Sequence, residues 1–176
     1  ASLNAQLQKM LNPPDSLKTE KKIGDRLFRE GDKVMQTRNN YRIGWKKRCD
    51  FSEGQGVFNG DIGYIHNIDN DAGQMTVIFD EDRFVNYEFG QLDEVELAYA
   101  MTVHKSQGSE FPIVVMPVSW FPPMLATRNL LYTAVTRGKK VVILCGMQRR
   151  MEAMVDNNRI KLRFSGLKHR LRALIG

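Results

Sequence analysis

Cysteine is scarce in this sequence: Cys49 and Cys145 are the two present, and their spacing matches no metal-ligand pattern. No metal site is therefore expected from them, and a reduced, cytoplasmic setting is the default. Long apolar runs are also missing. The stretch Pro112 to Val118 falls far short of the roughly 20 residues a membrane span requires, so no membrane partner is expected. The N-terminus alternates polar and apolar residues instead of presenting an apolar block, which excludes a visible signal peptide. It opens on Ala1, not Met, as a trimmed or excised piece would. No repeat or low-complexity tract is present. No G-x-x-x-x-G-K-[ST] phosphate loop occurs, and no apolar strand ends in a paired Asp-Glu; Asp93-Glu94 follows Gly90-Gln91-Leu92.

What remains is an ordinary globular composition, 42% hydrophobic and 26% charged, with a net charge of +6 that is unevenly spread. Residues 126–176 carry 12 Lys and Arg against 2 Asp and Glu, leaving 14 against 18 on the rest. A basic end on a near-neutral body suits a phosphate-backbone partner, and equally a solvated basic helix face.

Three regions separate along the chain. Leu3, Leu7, Met10 and Leu11 recur at helical spacing until Pro13-Pro14 stops them, and Asp15 to Asp25 reads as a polar linker. Residues 28–95 hold short alternating strands at 33–36, 63–68, 75–79 and 83–87. Turn signals such as Asn59-Gly60-Asp61 and Asn70-Asp71-Ala72-Gly73 separate them, a pattern that predicts a small SH3-like barrel. Residues 96–176 switch to α/β alternation. A strand at 95–101 leads to a short helix capped by Thr102 and stopped by Gly108. A strand at 113–118, a Pro-rich loop at 120–123 and a helix at 127–137 come next. After them come an apolar strand at 141–144 of the kind found in parallel sheets covered on both faces, a helix at 148–155 and an alternating stretch at 160–164. The chain ends in a helix with Leu167, Leu171, Leu174 and Ile175 on one face and Lys168, Arg170 and Arg172 outward. An α/β fold interrupted by an inserted barrel is expected, because the N-terminal helix has no obvious partner in the barrel. The predicted division is 1–27 and 96–176 for the α/β domain, with 28–95 inserted.

Two stretches carry chemistry. Ala100 to Phe111 places Thr, His, Lys, Gln, Gly and Glu after a strand, where the carboxyl edge of a sheet would bind a ligand; a polar strand–turn connection has the same composition. In Arg128 to Lys140, Asn129, Thr133 and Arg137 align at four-residue steps, apart from the apolar face of Leu130, Leu131, Ala134 and Val135. Arg137 at a helix end could fork onto a phosphate, or be a solvated cation favoured by the helix dipole. Asn39, Asn40, Tyr41, Arg42, Trp45, Lys46, Lys47 and Arg48 group as one aromatic and basic loop. It could stack and neutralise single-stranded DNA, or be an exposed loop with Trp45 packed against the barrel. His66 and His169 draw no functional reading.

The run Thr102-Val103-His104-Lys105-Ser106-Gln107-Gly108-Ser109-Glu110-Phe111, followed by Leu131-Tyr132-Thr133-Ala134-Val135-Thr136-Arg137, resembles motifs V and VI of superfamily 1 DNA helicases of the RecD-like branch. Gly31 to Gln36, Asn39-Asn40-Tyr41 and Phe58 to Gly63 are similar to that branch's barrel, and Leu3-Asn4 through Pro13 to the segment before it. The resemblance implies an incomplete RecA-like (P-loop NTPase-type) second helicase domain with an SH3-like barrel inserted, starting after the domain's first strand and so leaving a sheet edge unpaired.

It further implies an ATP-dependent helicase of recombination and repair, moving 5′ to 3′ on single-stranded DNA and unwinding duplex ends. ATP and Mg2+ would be its cofactors, with the Mg2+ ligands and phosphate loop in an earlier helicase domain of the same chain. Gly108 and Glu110 match nucleotide contacts, Gln107 would sense the γ-phosphate, and Arg137 would be the catalytic arginine finger. Thr102, His104 and Lys105 match the end of motif V that faces DNA. Gly138 departs from the expected small helix former, which predicts a looser helix end. Other exodeoxyribonuclease V subunits are possible partners under this resemblance. The alternative is a non-catalytic module that binds nucleic acid or protein.

Overall fold

A computed structural model describes residues 2–80, 82–118, 124–158 and 166–175. Strands outweigh helices in a mixed α/β structure with two compact units, Ala1–Ser109 and Glu110–Gly176. No helix among the described residues is long and apolar enough to cross a membrane.

In the first unit, helix α1 (Leu3–Leu11) starts where the Ser2 hydroxyl accepts the Ala5 N–H, and ends before the two prolines. The stretch expected to be a linker instead contains β1 (Glu20–Ile23), paired antiparallel with β2 (Arg26–Arg29) through a turn at Gly24, whose φ is +58°. A charged run hides this strand. Its stability comes from the cross-strand pair Glu20–Arg29 at 2.6 Å, beneath which Phe28 is fully buried.

A seven-stranded antiparallel sheet follows. Its strands are β3 (Lys33–Gln36), β4 (Asn40–Lys47), β5 (Glu53–Val57), β6 (Ile62–Asp69), β7 (Gln74–Phe79), β8 (Arg83–Glu88) and β9 (Val95–Leu97). Their order is β5-β4-β8-β7-β6-β3-β9. The four strands read from alternation are present. The group read as a basic loop is strand β4, and the strand read over 95–101 is only the three residues of β9. No ladder closes β5 onto β9, so the sheet is open among the described residues. Even so, Val57 at one end and Val95 at the other belong to one apolar core with Val34, Ile65, Val77, Phe79, Val85 and Tyr87. The sheet therefore curls around a shared interior.

Helix α1 does have partners in this unit, contrary to expectation, and they are polar. Gln8 donates to the Asp32 carboxylate at 2.6 Å and to the Leu27 carbonyl at 2.9 Å, and Asn12 donates to Asp32 at 2.7 Å. Leu3, Met10 and Leu11 stay exposed. Apolar periodicity located the helix, but of that stripe only Leu7 is half-buried, and the polar residues Gln8 and Asn12 are buried instead.

The second unit pairs β10 (Phe111–Val118) in parallel with β11 (Gly138–Gly146). Helix α2 (Arg128–Val135) is capped by the Thr127 hydroxyl, which accepts the Leu130 N–H. It packs on both strands and against α3 (Gln148–Asp156), burying Met116, Val118, Ala134 and Met154. The parallel pairing matches expectation, but coverage on both faces does not. Ile113, Val115, Val141 and Ile143 are each about half exposed (57, 59, 46 and 45%), since no second layer covers that face among the described residues. Helix α4 (Leu167–Ile175) is where helical spacing placed it, with Arg170 and Arg172 exposed but also Leu171 and Leu174. The predicted loop at 120–123, the strand at 160–164 and the His169 side chain lie outside the described residues.

Replacing Asp32 by Ala strands three side-chain donors and the Arg29 N–H in a dry setting. It should cost about 3 kcal/mol or more of stability, read as a lower urea midpoint. Gly63→Ala brings a Cβ within 2.5 Å of the Ile78 carbonyl and 2.9 Å of Phe79. A loss of about 1–3 kcal/mol is expected by the same measurement.

Candidate nucleotide and nucleic-acid sites

The segment carrying Thr102 to Gly108 leaves the first unit's sheet at Ala98, whose N–H still bonds the Lys33 carbonyl at 2.8 Å. Beyond it, the Tyr99 hydroxyl donates to Asp32 at 2.9 Å. The Asn4 carboxamide takes the Ala100 N–H at 2.7 Å and gives to its carbonyl at 2.9 Å. Burial, and then the nearby Asp32 charge, push the Tyr99 phenol up to about 12, so it remains a donor throughout the neutral range.

From Val103 to Gly108 the chain forms successive turns instead of the predicted helix. Thr102 does act as a cap, its hydroxyl accepting the Lys105 N–H at 3.3 Å and its carbonyl the Ser106 N–H at 3.2 Å. One such turn does not propagate. The Ser106 hydroxyl bonds the Val103 carbonyl, and the next bonds, Gln107 to His104 and Ser109 to Ser106, are the tighter three-residue kind. Gly108 closes the series at φ +87°, where a side chain would be strained although space is open around it. Thr102, His104, Gln107 and Gly108 are exposed. Lys105 is half-buried, its ammonium 2.6 Å from Glu96.

In the second unit, Glu110 and Arg137 immediately precede the two paired strands. Phe111 is in register with Gly138, and the Phe111 N–H bonds the Arg137 carbonyl at 2.8 Å. Both residues thus lie at the amino ends of β10 and β11. This corrects the expectation of a carboxyl edge: β9, the strand before Thr102, belongs to the antiparallel sheet, so the carboxyl-edge rule for parallel sheets does not apply to it. The Asn129–Thr133–Arg137 alignment is real and bonded. Thr133 donates to the Asn129 carbonyl at 2.8 Å, while the Arg137 Nε donates to the Thr133 carbonyl at 3.2 Å and Nη2 to the Thr136 hydroxyl at 3.3 Å. The guanidinium is therefore braced against the end of α2. The Glu110 carboxylate meets the Lys139 ammonium at 3.0 Å, with both side chains more than half exposed. Gly138 has a steric reason, because a Cβ there would come within 2.5 Å of the Val142 side chain.

The third group is divided. Asn40 is structural. Its oxygen accepts the Arg42 and Ile43 N–H groups where β4 slips register against β5, and its amide donates to Glu94. Asn39 accepts the Asn59 N–H at 2.9 Å and donates to the Tyr41 hydroxyl at 3.2 Å. Tyr41 is 66% exposed and meets Phe58 edge-on, with ring centroids 5.7 Å apart. Trp45 is half-buried against the core and covers Gly54. Sequence reading missed the Phe58 and Phe84 aromatics. Phe84 takes Arg48 over its ring at 5.3 Å and His66 edge-on at 5.4 Å. Phe58, next to Asn59-Gly60-Asp61, could have been found as an aromatic beside a turn; Phe84 could not, because only strand register brings Arg48 and His66 to it.

Among the described residues, no cluster of His, Cys, Asp or Glu could hold a metal ion.

Comparison with known proteins finds two domain families along the chain. Residues 3–79 match the SH3 domain of ATP-dependent RecD-like DNA helicases, and residues 97–145 the UvrD-like helicase C-terminal domain. The chain is 37% identical over 117 residues to the RecBCD enzyme subunit RecD of Mycobacterium tuberculosis, covering 66% of this chain and 20% of that protein. It is 34% identical over 142 residues to the same subunit of Mycolicibacterium smegmatis, covering 81% and 22%. It is 30% identical over 171 residues to the ATP-dependent RecD2 DNA helicase of Deinococcus radiodurans, covering 97% and 21%. The chain spans about a fifth of the length of these relatives. With matches to a RecD-like SH3 domain and a helicase C-terminal domain, and RecD and RecD2 relatives at 30–37% identity over 66–97% of its length, the chain belongs to the RecD-like ATP-dependent DNA helicase family.

Proposed function

We propose that this chain supplies part of the ATP site and part of the DNA track of a helicase that translocates on single-stranded DNA and unwinds duplex ends, 5′ to 3′, in recombination and repair. The observation that carries this reading is Arg137, braced by Thr133 and Thr136 at the amino end of β11, one strand away from Glu110. A guanidinium is planar, keeps its charge and forks onto phosphate, and one already held at a helix end loses little side-chain freedom on meeting a phosphoryl group. It would stabilise charge on the transferring phosphoryl group as an arginine finger. Glu110 would accept from the nucleotide's ribose, and Gln107 and Gly108 would meet its terminal phosphates. Their exposure supports ligand contact, and the Lys139 pairing of Glu110 is of the exposed kind worth about 0–1 kcal/mol, which a ligand can displace.

Thr102, His104 and Lys105 would face the DNA phosphates, and exposed Tyr41, with Asn39 beside it, would stack on a base. Asn40 would act indirectly, by shaping the strand under Tyr41.

ATP and Mg2+ are the cofactors of this reading. The Mg2+ ligands and phosphate loop would come from another domain of the full-length protein, as the sequence holds no G-x-x-x-x-G-K-[ST] run. Residues 28–95 would be a barrel inserted between the two parts, 1–27 and 96–176, of a RecA-like domain. The parallel β10–β11 pair with an apolar face left bare supports that, since a fuller sheet and a second layer would complete it. Exodeoxyribonuclease V subunits are the proposed protein partners, and the cytoplasm the proposed compartment.

ATP hydrolysis by the full-length protein, with and without single-stranded DNA, tests the assignment. Arg137→Ala should lower DNA-stimulated turnover on the order of a thousandfold while DNA binding persists. A wild-type protein without DNA-stimulated hydrolysis would overturn the helicase reading in favour of a binding module.

A further inference from the structure

The polar face of α1 consists of Asn4, Gln8 and Asn12, at four-residue steps. All three reach the first unit by hydrogen bonds: Asn12 to Asp32, Gln8 to Asp32 and Leu27, and Asn4 to Ala100. Among the described residues, no α1 residue belongs to the apolar core cluster; Leu3, Met10 and Leu11 are exposed and Leu7 is half-buried. The helix is thus docked through directional bonds, which fix orientation more sharply than burial does.

What they orient is the exit from β9. Asn4 pairs with both the N–H and the carbonyl of Ala100, giving this one residue the donor and acceptor that a neighbouring strand would provide. Tyr99, one residue earlier, is tied to Asp32, the same carboxylate that holds Gln8 and Asn12. Two residues after Ala100 comes Thr102, and the turns bearing His104 and Lys105 are built on it.

We propose that Asn4 is a positioning residue for DNA binding, with α1 acting as the brace that aims the Thr102–Lys105 segment at the phosphate backbone. The inference rests on the reading that this segment faces DNA. Asn4 touches no DNA itself; it acts by fixing the backbone at Ala100, and so the placement of Lys105.

The test is a double-mutant cycle on the full-length protein, titrating a fluorescent single-stranded oligonucleotide over a range of NaCl concentrations. Lys105→Ala should weaken binding several-fold and reduce the slope of log K against log salt by about 0.7, one phosphate contact on single-stranded DNA. Asn4→Ala should weaken binding similarly with the same loss of slope, and adding Lys105→Ala to it should weaken binding no further. Asn4→Asp keeps the acceptor for the Ala100 N–H but loses the donor to its carbonyl, so it should fall between wild type and Asn4→Ala. It also carries the test if Asn4→Ala fails to fold by circular dichroism. Independent, multiplicative losses from Asn4→Ala and Lys105→Ala, or unchanged binding by the Asn4 variants, would overturn the positioning role while leaving the DNA-facing segment intact. Unchanged affinity and slope for Lys105→Ala alone would sink the DNA-facing reading itself, and the inference with it.

Discussion

The Asp32 carboxylate is fully buried and must have its charge solvated by protein. It accepts from Gln8 and the Arg29 N–H on one oxygen, and from Asn12 and Tyr99 on the other. Four donors fill the four lone-pair directions of a carboxylate, so no capacity is left for an alternative arrangement. The donors come from α1 and its C-terminal cap, from the end of β2, and from the exit of β9. A single carboxylate therefore ties three chain segments together. Around it, Arg29 is buried too, bonded to Glu20 and to the Asn12 carbonyl. This network is why residues 1–109 form one unit instead of a barrel with loose flanks.

The proposed functional groups sit outside that network but are held by it or by short local bonds. Arg137 is braced along its own helix. Lys105 rests in a half-buried ion pair with Glu96, and Glu110 in an exposed one with Lys139. Pairs of this kind contribute little to stability, yet they keep long side chains near one geometry where a phosphate or a ribose can replace the partner. The rigid interior and the exchangeable surface pairs are thus complementary: the first sets backbone position, the second leaves charge available.

Much of this was legible in the sequence. Alternation located β3, β6, β7 and β8, and helical spacing located α1, α2, α3 and α4. The motif wording placed the chain in its family, which the matches over residues 3–79 and 97–145 bear out. The misses share a cause. Strand β1 is charged, and β4 mixes Arg and Lys with Trp45, so neither shows apolar alternation; each is held by cross-strand partners whose identity is a matter of register. The helix expected over 102–108 is a series of turns because Ser106 bonds its own backbone, a competition that composition does not decide.

Local chemistry could be read from the residues alone. Proline stops α1, Thr102 caps the segment that Gly108 ends in a left-handed turn, and an apolar run between polar ends makes β11. These depend on groups a few residues apart. Only the tertiary structure decided that α1 docks by its polar face, that the Asn40 amide meets Glu94 where β4 slips register, and that Glu110 and Arg137 share the amino ends of neighbouring strands. Each of those rests on partners up to 96 residues away along the chain, as Asn4 and Ala100 are. A hydrogen bond needs a specific partner at a specific angle, and periodicity carries no information about which one the fold will bring.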